Sequence, residues 1–312
     1  MSNDIVNEIK NWKEHKGTVL HSVDDFDVID CSTCGFKHII PIPSEDELRE
    51  IYKHDYHVKD KPLMLEHQLE DIEWLESVND ARLATLEKIL GGTGKFLDIG
   101  SGNGFLLGQA QKRGWTVKGI EPSDKAADYS CSQRLDVACS VFDKKCADSL
   151  EIFDVVHLGD VMEHVPSPQA ILDLCNQVLR PGGLIAVSVP NEYTPIQKIL
   201  NENMDVRPWW VLPPHHLNYF DKLSLENLLS RKDFTPCHSE VSFPMELFQL
   251  MGKNYLDDPK LGRECHAMRK ELELNLTKSG NRDFLYKLYS CFAEAGMGRT
   301  VLVIAQKNSE KE

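Results

Sequence analysis

Three glycines at alternate positions follow a short apolar run in the segment KFLDIGSGNG. Gly100, Gly102 and Gly104 allow backbone conformations that a Cβ atom disfavours, and they let a ligand approach the main chain closely. Asp98 stands two residues before this loop, and Glu121 ends the next apolar run, TVKGIE. The pattern predicts a binding site at which a ligand meets backbone amides and two carboxylates.

The spacing of the glycines separates two classes of ligand. A dinucleotide fingerprint needs a further glycine that is missing here, and Asn103 and Phe105 add bulk where a pyrophosphate needs access. A carboxylate at Asp98 suits a ligand with an ammonium and a sulfonium better than one with two phosphates. Glu121 can accept hydrogen bonds from both ribose hydroxyls, although it would do so for NAD as well. Together these features favour S-adenosylmethionine.

Histidines that could accept a proton follow two later strand-like runs. His164 lies in MEHVPSP after FDVVHLGD, and His215 and His216 lie in PPHHLNYF after LIAVSVP. Histidine is the side chain best suited to proton transfer near neutral pH, and the pair comes where an acceptor must bind. His216 is therefore our candidate general base. The alternative is that the paired histidines cap the next helix or bond to backbone groups.

An alternation of strand and helix patterns must position these residues. From residue 95 onward, apolar runs are separated by helical patterns, which predicts parallel crossover units. The predicted fold class is α/β, with a doubly wound, mostly parallel sheet and a helical cap inserted before the last strand. The expected segments are an N-terminal segment with a C-x-x-C knuckle (1–65), the cofactor-binding core (66–243), the cap (244–298) and the last strand with the tail (299–312).

Four motifs in this order resemble the class I S-adenosylmethionine-dependent methyltransferases, in the group that includes ubiquinone-type O-methyltransferases and deoxysugar C-methyltransferases. The motifs are FLDIGSGNG, GIEPS, FDVVHLGDVMEHVPSP and LRPGGLIAVSVPN. The resemblance implies S-adenosylmethionine as cofactor, with its methionine part beside the glycines, its ribose on Glu121 and its adenine beside Phe142 and Asp143. The cofactor-binding residues it predicts are Asp98, Gly100, Ser101, Gly102, Gly104, Glu121, Pro122, Phe142, Asp143 and Asp160.

The histidine segment is similar to one in the deoxysugar C-methyltransferases, where a Tyr-x-Glu-His run ends in the proposed base. By position His216 takes that role, while His215 stands at the glutamate and Pro213 at the tyrosine. These departures favour O-methylation over C-methylation, with His216 as base and His215 beside it. The counterpart of His164 occurs across members with different substrates, so His164 either shapes the pocket rim or takes a direct part.

Nine cysteines form an odd, scattered set that indicates reduced thiols, and only Cys31 and Cys34 form a close pair, C-x-x-C-G. The deoxysugar C-methyltransferases carry two such pairs around zinc, and structural zinc takes four ligands. This chain lacks the second pair, and the substitutes considered are His21, His38, His54 and His57. We expect no metal, with the pair retained for packing, and zinc binding remains an open alternative.

The acidic charge of the chain indicates which partners it disfavours. Acidic residues outnumber basic ones 49 to 35, and the net charge of −14 opposes binding to nucleic acid or to an acidic membrane surface. No apolar run approaches the roughly 18 residues that span a bilayer, and the N-terminus shows no apolar signal core, so we expect a cytoplasmic protein. The cap either closes over a small-molecule acceptor or joins two subunits in a homodimer.

The sequence thus predicts an S-adenosylmethionine-dependent methyltransferase that acts on a small polar metabolite. The zinc-module-like N-terminus and the histidine segment favour a sugar or nucleotide-linked sugar, and hence carbohydrate modification. Two alternatives stay open, an NAD-dependent oxidoreductase on the same fold and a non-catalytic S-adenosylmethionine-binding scaffold. The missing glycine argues against the oxidoreductase. Only measured turnover can distinguish the scaffold from a methyltransferase.

Overall fold

Strands and helices alternate along the computed structural model, which describes residues 8–44, 47–48 and 64–309. The strands are β1 (Ile9–Trp12), β2 (His15–Val23), β3 (Phe26–Cys31), β4 (Phe36–Ile40), β5 (Lys95–Ile99), β6 (Thr116–Glu121), β7 (Val137–Cys139), β8 (Phe153–Gly159), β9 (Leu179–Pro190), β10 (Asn218–Tyr219), β11 (Phe234–Val241) and β12 (Thr300–Lys307). The helices are α1 (Met64–Glu70), α2 (Ile72–Leu90), α3 (Phe105–Lys112), α4 (Asp124–Ser132), α5 (Lys144–Ser149), α6 (Pro168–Val178), α7 (Pro195–Met204), α8 (Lys222–Ser230), α9 (Glu246–Leu250), α10 (Pro259–Lys278) and α11 (Arg282–Glu294).

The larger sheet has seven strands in the order β11-β12-β9-β8-β5-β6-β7. Strands β5 to β9 run parallel, whereas β12 lies antiparallel between β9 and β11. Strand β5 lies in the middle with β6 on one side and β8 on the other, so the order of strands reverses beside β5. That reversal is where doubly wound sheets bind ligands, and the predicted α/β class is confirmed.

The central strands are apolar because helices cover both faces of the sheet. Phe96 and Val155 pack with Leu107 in the layer that contains α2 and α3. Leu97 and Val156, one position further along each strand, pack on the opposite face. Successive residues of a strand point to opposite faces of the sheet. One continuous apolar run therefore contributes side chains to the core on each face.

The smaller sheet has five antiparallel strands in the order β1-β2-β3-β4-β10. Its first four strands come from the N-terminal segment, and β10 comes from the histidine segment of the core, where Asn218 pairs with His38 and Tyr219 with Lys37. Residues 45–46 and 49–63 of the predicted N-terminal segment, including the zinc-ligand candidates His54 and His57, lie outside the described residues.

Segment 244–298, predicted as a helical cap, contains α9, α10 and α11. Asp71, at the start of α2, ties this segment to the core. Its carboxylate accepts hydrogen bonds from Lys270 and from His266 Nε2 at 3.0 Å, and Arg263 Nη1 lies 3.3 Å away. Burial alone would raise the pKa of Asp71, but the bonds from Lys270 and His266 outweigh it and hold the pKa below its ordinary value.

We expect Asp71→Asn to lower the free energy of unfolding by about 2 kcal/mol at pH 7, because it leaves the cationic side chains of α10 without their buried counter-charge. A carboxyl whose pKa is depressed by folding stabilises above its unfolded pKa, and that stability is lost as the pH falls through the folded pKa. Urea denaturation should therefore show a difference in free energy of unfolding between parent and variant at pH 7, and this difference should disappear on acidification. Glu70→Gln, which removes an exposed partner of Arg263, should change stability by less than about 0.5 kcal/mol. Equal losses in the two variants would contradict the argument.

Within the described residues, the helices are too short or too polar for any of them to cross a bilayer.

Candidate cofactor and active site

The glycine loop between β5 and α3 has the conformation that its sequence predicts. Gly100, Gly102 and Gly104 have φ angles of +72°, +53° and +72°. A Cβ at Gly100 would lie 2.6 Å from Val161 Cγ2, and one at Gly104 would lie 2.6 Å from Leu135 Cδ1, whereas one at Gly102 would meet nothing within 4 Å. The outer two glycines are therefore needed for packing, and Gly102 borders open space.

Glu121, at the end of β6, holds the middle of this loop. Its Oε2 accepts a hydrogen bond from the N–H of Gly102 at 2.8 Å, and its Oε1 accepts one from the N–H of Ser123 at 2.8 Å. Burial raises the pKa of Glu121, and these two backbone donors partly offset that rise. Each carboxylate oxygen keeps a second lone pair, so the group can still accept from ligand hydroxyls.

Asp98 is buried and paired within the protein. Its Oδ1 lies 2.7 Å from Nδ1 of His157 on β8, and Nη1 of Arg82 lies 3.1 Å from Nε2 of the same ring. Because arginine can only donate, Nε2 is the acceptor and Nδ1 carries the proton that is donated to Asp98. Sequence reasoning missed His157 and Arg82, although a histidine inside the apolar run FDVVHLGD was a visible signal. Contact between Asp98 and the ammonium group of a cofactor stays a prediction.

The residues predicted beside the adenine lie at the start of α5. Phe142 is buried and belongs to the core, whereas Asp143 is exposed and caps the helix, with Oδ1 accepting from the N–H of Cys146 at 2.8 Å. Pro122 is exposed directly after Glu121. Their contact with a cofactor stays a prediction.

Ser101 and Asp160 complete the predicted cofactor set. Ser101 Oγ is buried against Gly119, where a Cβ would lie 2.7 Å from it, and it has no hydrogen-bond partner among the described residues. Asp160 follows β8 with an exposed side chain and a φ angle of +53°, and its N–H donates to Ser188 O on β9 at 2.9 Å. Both residues lie at the carboxyl ends of the central strands.

Two histidines and two buried glutamates cluster where the loops after β8 and β9 meet. His216 Nδ1 lies 3.5 Å from Glu192 Oε1, and His164 Nε2 lies 3.7 Å from Glu163 Oε1. The two imidazole rings stand nearly perpendicular, with their centroids 5.2 Å apart. Glu192 and Glu163 are 1% and 2% exposed, so both carboxylates lie away from bulk water.

This cluster can accept protons or bind a cation. Ligand atoms of Glu163, His164 and His216 all lie within 4.8 Å of one another, and the carboxylate and imidazole groups suit a divalent ion. A histidine close to a buried carboxylate is also the arrangement of a general base, because the carboxylate stabilises the imidazolium that proton transfer creates.

Backbone bonds join the loop after β8 to the histidine segment. The N–H groups of Leu217 and Asn218 donate to Glu163 O at 2.7 and 3.1 Å. The Asn218 side-chain amide donates to Met162 O and Val165 O at 3.0 and 2.7 Å. These bonds keep the two loops together and thereby set the distance between their histidines.

The paired histidines have different surroundings. His215 offers its carbonyl to His164 Nδ1 at 2.7 Å, so Nδ1 carries a proton and donates it to that carbonyl. His216 is the member of the pair that approaches Glu192. All three histidines were predicted from the sequence, whereas Glu163 and Glu192 were not, since acids that follow strands are most often solvated. The position of Glu192 two residues beyond β9 was the available signal.

Comparison with known protein families decides the class of this chain. Residues 65–239, more than half of the 312 residues, match a family described as a methyltransferase domain. The chain belongs to this methyltransferase family. The class predicted from the sequence, a class I S-adenosylmethionine-dependent methyltransferase, is confirmed.

Curated relatives of this methyltransferase include ubiquinone biosynthesis O-methyltransferases. The protein of Cupriavidus pinatubonensis is 34% identical over 38% of this chain and 50% of its own length, and that of Azoarcus sp. strain BH72 is 32% identical over 38% of this chain and 53% of its own. The methyltransferase thus spans about half the length of the curated relatives it matches.

Two solved structures show the same fold at low identity. The 1,6-didemethyltoxoflavin-N1-methyltransferase of Burkholderia thailandensis superposes with a TM-score of 0.50 at 14% identity, covering 97% of this chain and 100% of that one. The plantazolicin methyltransferase BpumL superposes with a TM-score of 0.51 at 14% identity, covering 84% of this chain and 94% of that one. Both solved structures contain S-adenosylhomocysteine.

Proposed function

We propose that this methyltransferase moves the methyl group of S-adenosylmethionine to a hydroxyl oxygen of a small acceptor, with His216 as the general base. The observation that carries the proposal is the approach of His216 Nδ1 to the buried carboxylate of Glu192 at 3.5 Å. The glycine loop follows β5 and the histidine cluster follows β8 and β9. These are neighbouring parallel strands, so their carboxyl ends share one edge of the sheet.

The cofactor would lie along the glycine loop. Glu121 would accept from the ribose hydroxyls, Gly102 would let the methionine part approach the backbone, and the Ser101 backbone would lie beside it. Phe142 and Asp143 would flank the adenine. Support comes from the class of the fold, from the buried acceptor at Glu121 and from S-adenosylhomocysteine in the two solved structures above.

The reaction needs one base and alignment of two atoms. The acceptor oxygen would form a bond to the methyl carbon while the carbon–sulfur bond breaks. The electron pair of the broken carbon–sulfur bond would stay on sulfur, which leaves neutral S-adenosylhomocysteine. His216 Nε2 takes the hydroxyl proton, and Glu192 stabilises the imidazolium through Nδ1. His164, whose Nδ1 contacts the carbonyl of His215, would lie beside the acceptor.

The acceptor belongs to one of two classes of hydroxyl. The histidine segment favours a sugar or nucleotide-linked sugar, which is our prediction for the acceptor. The curated relatives carry names of ubiquinone biosynthesis, which favours a phenol, but the shared region covers only about half their length. A phenol ionises more readily than a sugar hydroxyl and depends less on a base. Methylation of a sugar would therefore depend more strongly on His216.

Calorimetric titration with S-adenosylmethionine, S-adenosylhomocysteine and NAD tests the cofactor, and radiolabelled methyl transfer to nucleotide sugars and to catechols tests the acceptor. Binding of both adenosyl ligands and transfer to one panel would support the proposal. Binding of NAD alone would favour an oxidoreductase. Binding of the adenosyl ligands with no transfer to either panel would favour the scaffold alternative and count against the proposed reaction.

A further inference from the structure

A second cluster of metal-binding side chains lies in the smaller sheet, away from the glycine loop in the fold. His15, Cys31, Cys34 and His38 place their ligand atoms all within 4.8 Å of one another. His15 Nδ1 lies 3.3 Å from Cys34 Sγ and 3.8 Å from Cys31 Sγ. Two thiols and two imidazoles therefore converge on one point.

The hairpins of the sheet bring these four residues together from distant points of the sequence. His15 begins β2, Cys31 ends β3, Cys34 lies in the turn after it and His38 lies in β4. The N–H of Cys34 donates to Cys31 Sγ at 3.4 Å, and Gly35 follows with a φ angle of +71°. Thiols give up their proton when they bind a metal, so metal binding by this pair would release protons.

His38 is the second, independent observation that points to a ligand. Its ring is 1% exposed, and Nδ1 lies 2.9 Å from the carbonyl of Ile39, which can only accept. The ring therefore keeps a lone pair on Nε2, and that atom is buried with no hydrogen-bond partner among the described residues. A buried acceptor without a partner is costly, and a bound cation would remove the cost.

Access to the cluster is provided by a cavity of about 720 Å³. His15, Cys34 and His38 form part of its wall, together with Trp12 from β1 and Pro168 from the start of α6. An ion can thus reach the side of the cluster that His15, Cys34 and His38 form.

We propose that His15, Cys31, Cys34 and His38 bind one zinc ion in a closed, structural site. A tetrahedral set of two sulfurs and two nitrogens suits zinc, and four protein ligands leave no open position for a substrate or a catalytic water. The proposal differs from the sequence-based expectation of a pair kept for packing, because His15 supplies a ligand that the sequence analysis did not consider.

The ion would fasten the smaller sheet to the segment that carries His216. His38 is paired in the ladder with Asn218 of β10, two residues after His216. Phe36 and Phe220 rings lie 5.0 Å apart, and the Arg231 guanidinium donates to the carbonyl of Cys34. Zinc binding is therefore expected to stabilise the fold on the acceptor side, and it does not depend on the proposed reaction.

Metal analysis of the full chain, purified without an affinity tag under reducing conditions, tests the site. We expect one zinc per chain, with X-ray absorption showing two sulfurs at about 2.3 Å and two nitrogens at about 2.0 Å. Cys34→Ser and His38→Gln should retain less than about a tenth of the zinc. The matched controls Cys131→Ser and His238→Gln, which change the same residue types elsewhere, should retain all of it.

Because loss of a structural metal can also unfold the variants, the parent protein supplies a second readout. Chelation should lower the melting temperature by at least about 5 °C, and added zinc should restore it. The inference is overturned if folded parent protein holds no zinc and takes up none, if Cys31 and Cys34 form a disulfide in the fresh protein, or if all variants bind zinc equally. Calorimetry with S-adenosylhomocysteine on the same samples reports the cofactor site separately.

Discussion

Glu121→Ala is expected to raise the dissociation constant for S-adenosylmethionine by about 100-fold. The substitution removes the acceptor for the ribose hydroxyls, and it also removes the group that accepts from the N–H of Gly102 at 2.8 Å. Hydrogen bonds to a charged acceptor contribute about 1.5 to 3 kcal/mol each, so the loss of the bonds from both ribose hydroxyls is enough for this change of about 2.7 kcal/mol. Isothermal calorimetry with S-adenosylmethionine and S-adenosylhomocysteine measures the effect.

Two further variants separate ligand binding from loss of loop structure. Glu121→Gln keeps the size of the side chain but places an amide donor against the N–H of Gly102 or of Ser123. We therefore expect a smaller loss of affinity for S-adenosylmethionine, about 10-fold. Asp128→Asn removes an exposed carboxylate from α4 with no role in the loop, and its affinity should stay within about twofold of the parent. Unchanged affinity in a folded Glu121→Ala protein would show that the cofactor does not use this carboxylate.

His216→Gln is expected to lower the turnover number by at least about 100-fold while the dissociation constant for S-adenosylmethionine changes less than about twofold. A positioned base contributes about 10² to 10⁴ in rate, and glutamine keeps a polar side chain but cannot take the proton. Single-turnover methyl transfer at saturating cofactor isolates the chemical step. A rate equal to that of the parent would remove His216 from the mechanism.

The same prediction assigns a smaller effect to Glu192, which would act only through His216. Glu192→Gln should lower the turnover number by about 10-fold, and in combination with His216→Gln it should add little, because the two residues form one unit. His238→Gln on β11 is the matched histidine control and should leave the rate unchanged. Additive losses in the double variant would mean that Glu192 acts independently of His216.

The glycine loop and the place of Glu121 beside it could be predicted from local sequence alone. The positive φ angles of Gly100 and Gly104 are closed to most side chains, so glycine at those positions is a direct consequence of the turn. Glu121 ends a short apolar run, and the carboxyl ends of parallel strands share an edge, so its place beside the loop followed from order along the chain. The alternation of strand and helix patterns from residue 95 onward was sufficient to predict the doubly wound sheet.

The cluster of histidines and glutamates could be predicted only in part. The three histidines were visible as titratable groups after strands, but Glu192 and Glu163 were not named. An acid after a strand has the same sequence signature whether it is solvated or, as here, 1% to 2% exposed. Burial depends on bonds between the loop after β8 and the histidine segment, about fifty residues apart, and no local pattern encodes that contact.

The sequence by itself therefore determined the family, the α/β class and the position of the glycine loop, because each depends on residues close together in the chain. Only the tertiary structure decided that β10 joins the N-terminal strands and that His15, not His21, lies beside Cys31 and Cys34. The pairing of Gly17 with Cys31 places His15 at the knuckle, whereas His21 lies further along β2 and contacts Tyr193. Strand register is set by packing across the whole sheet, and a shift of one residue exchanges the faces of every side chain.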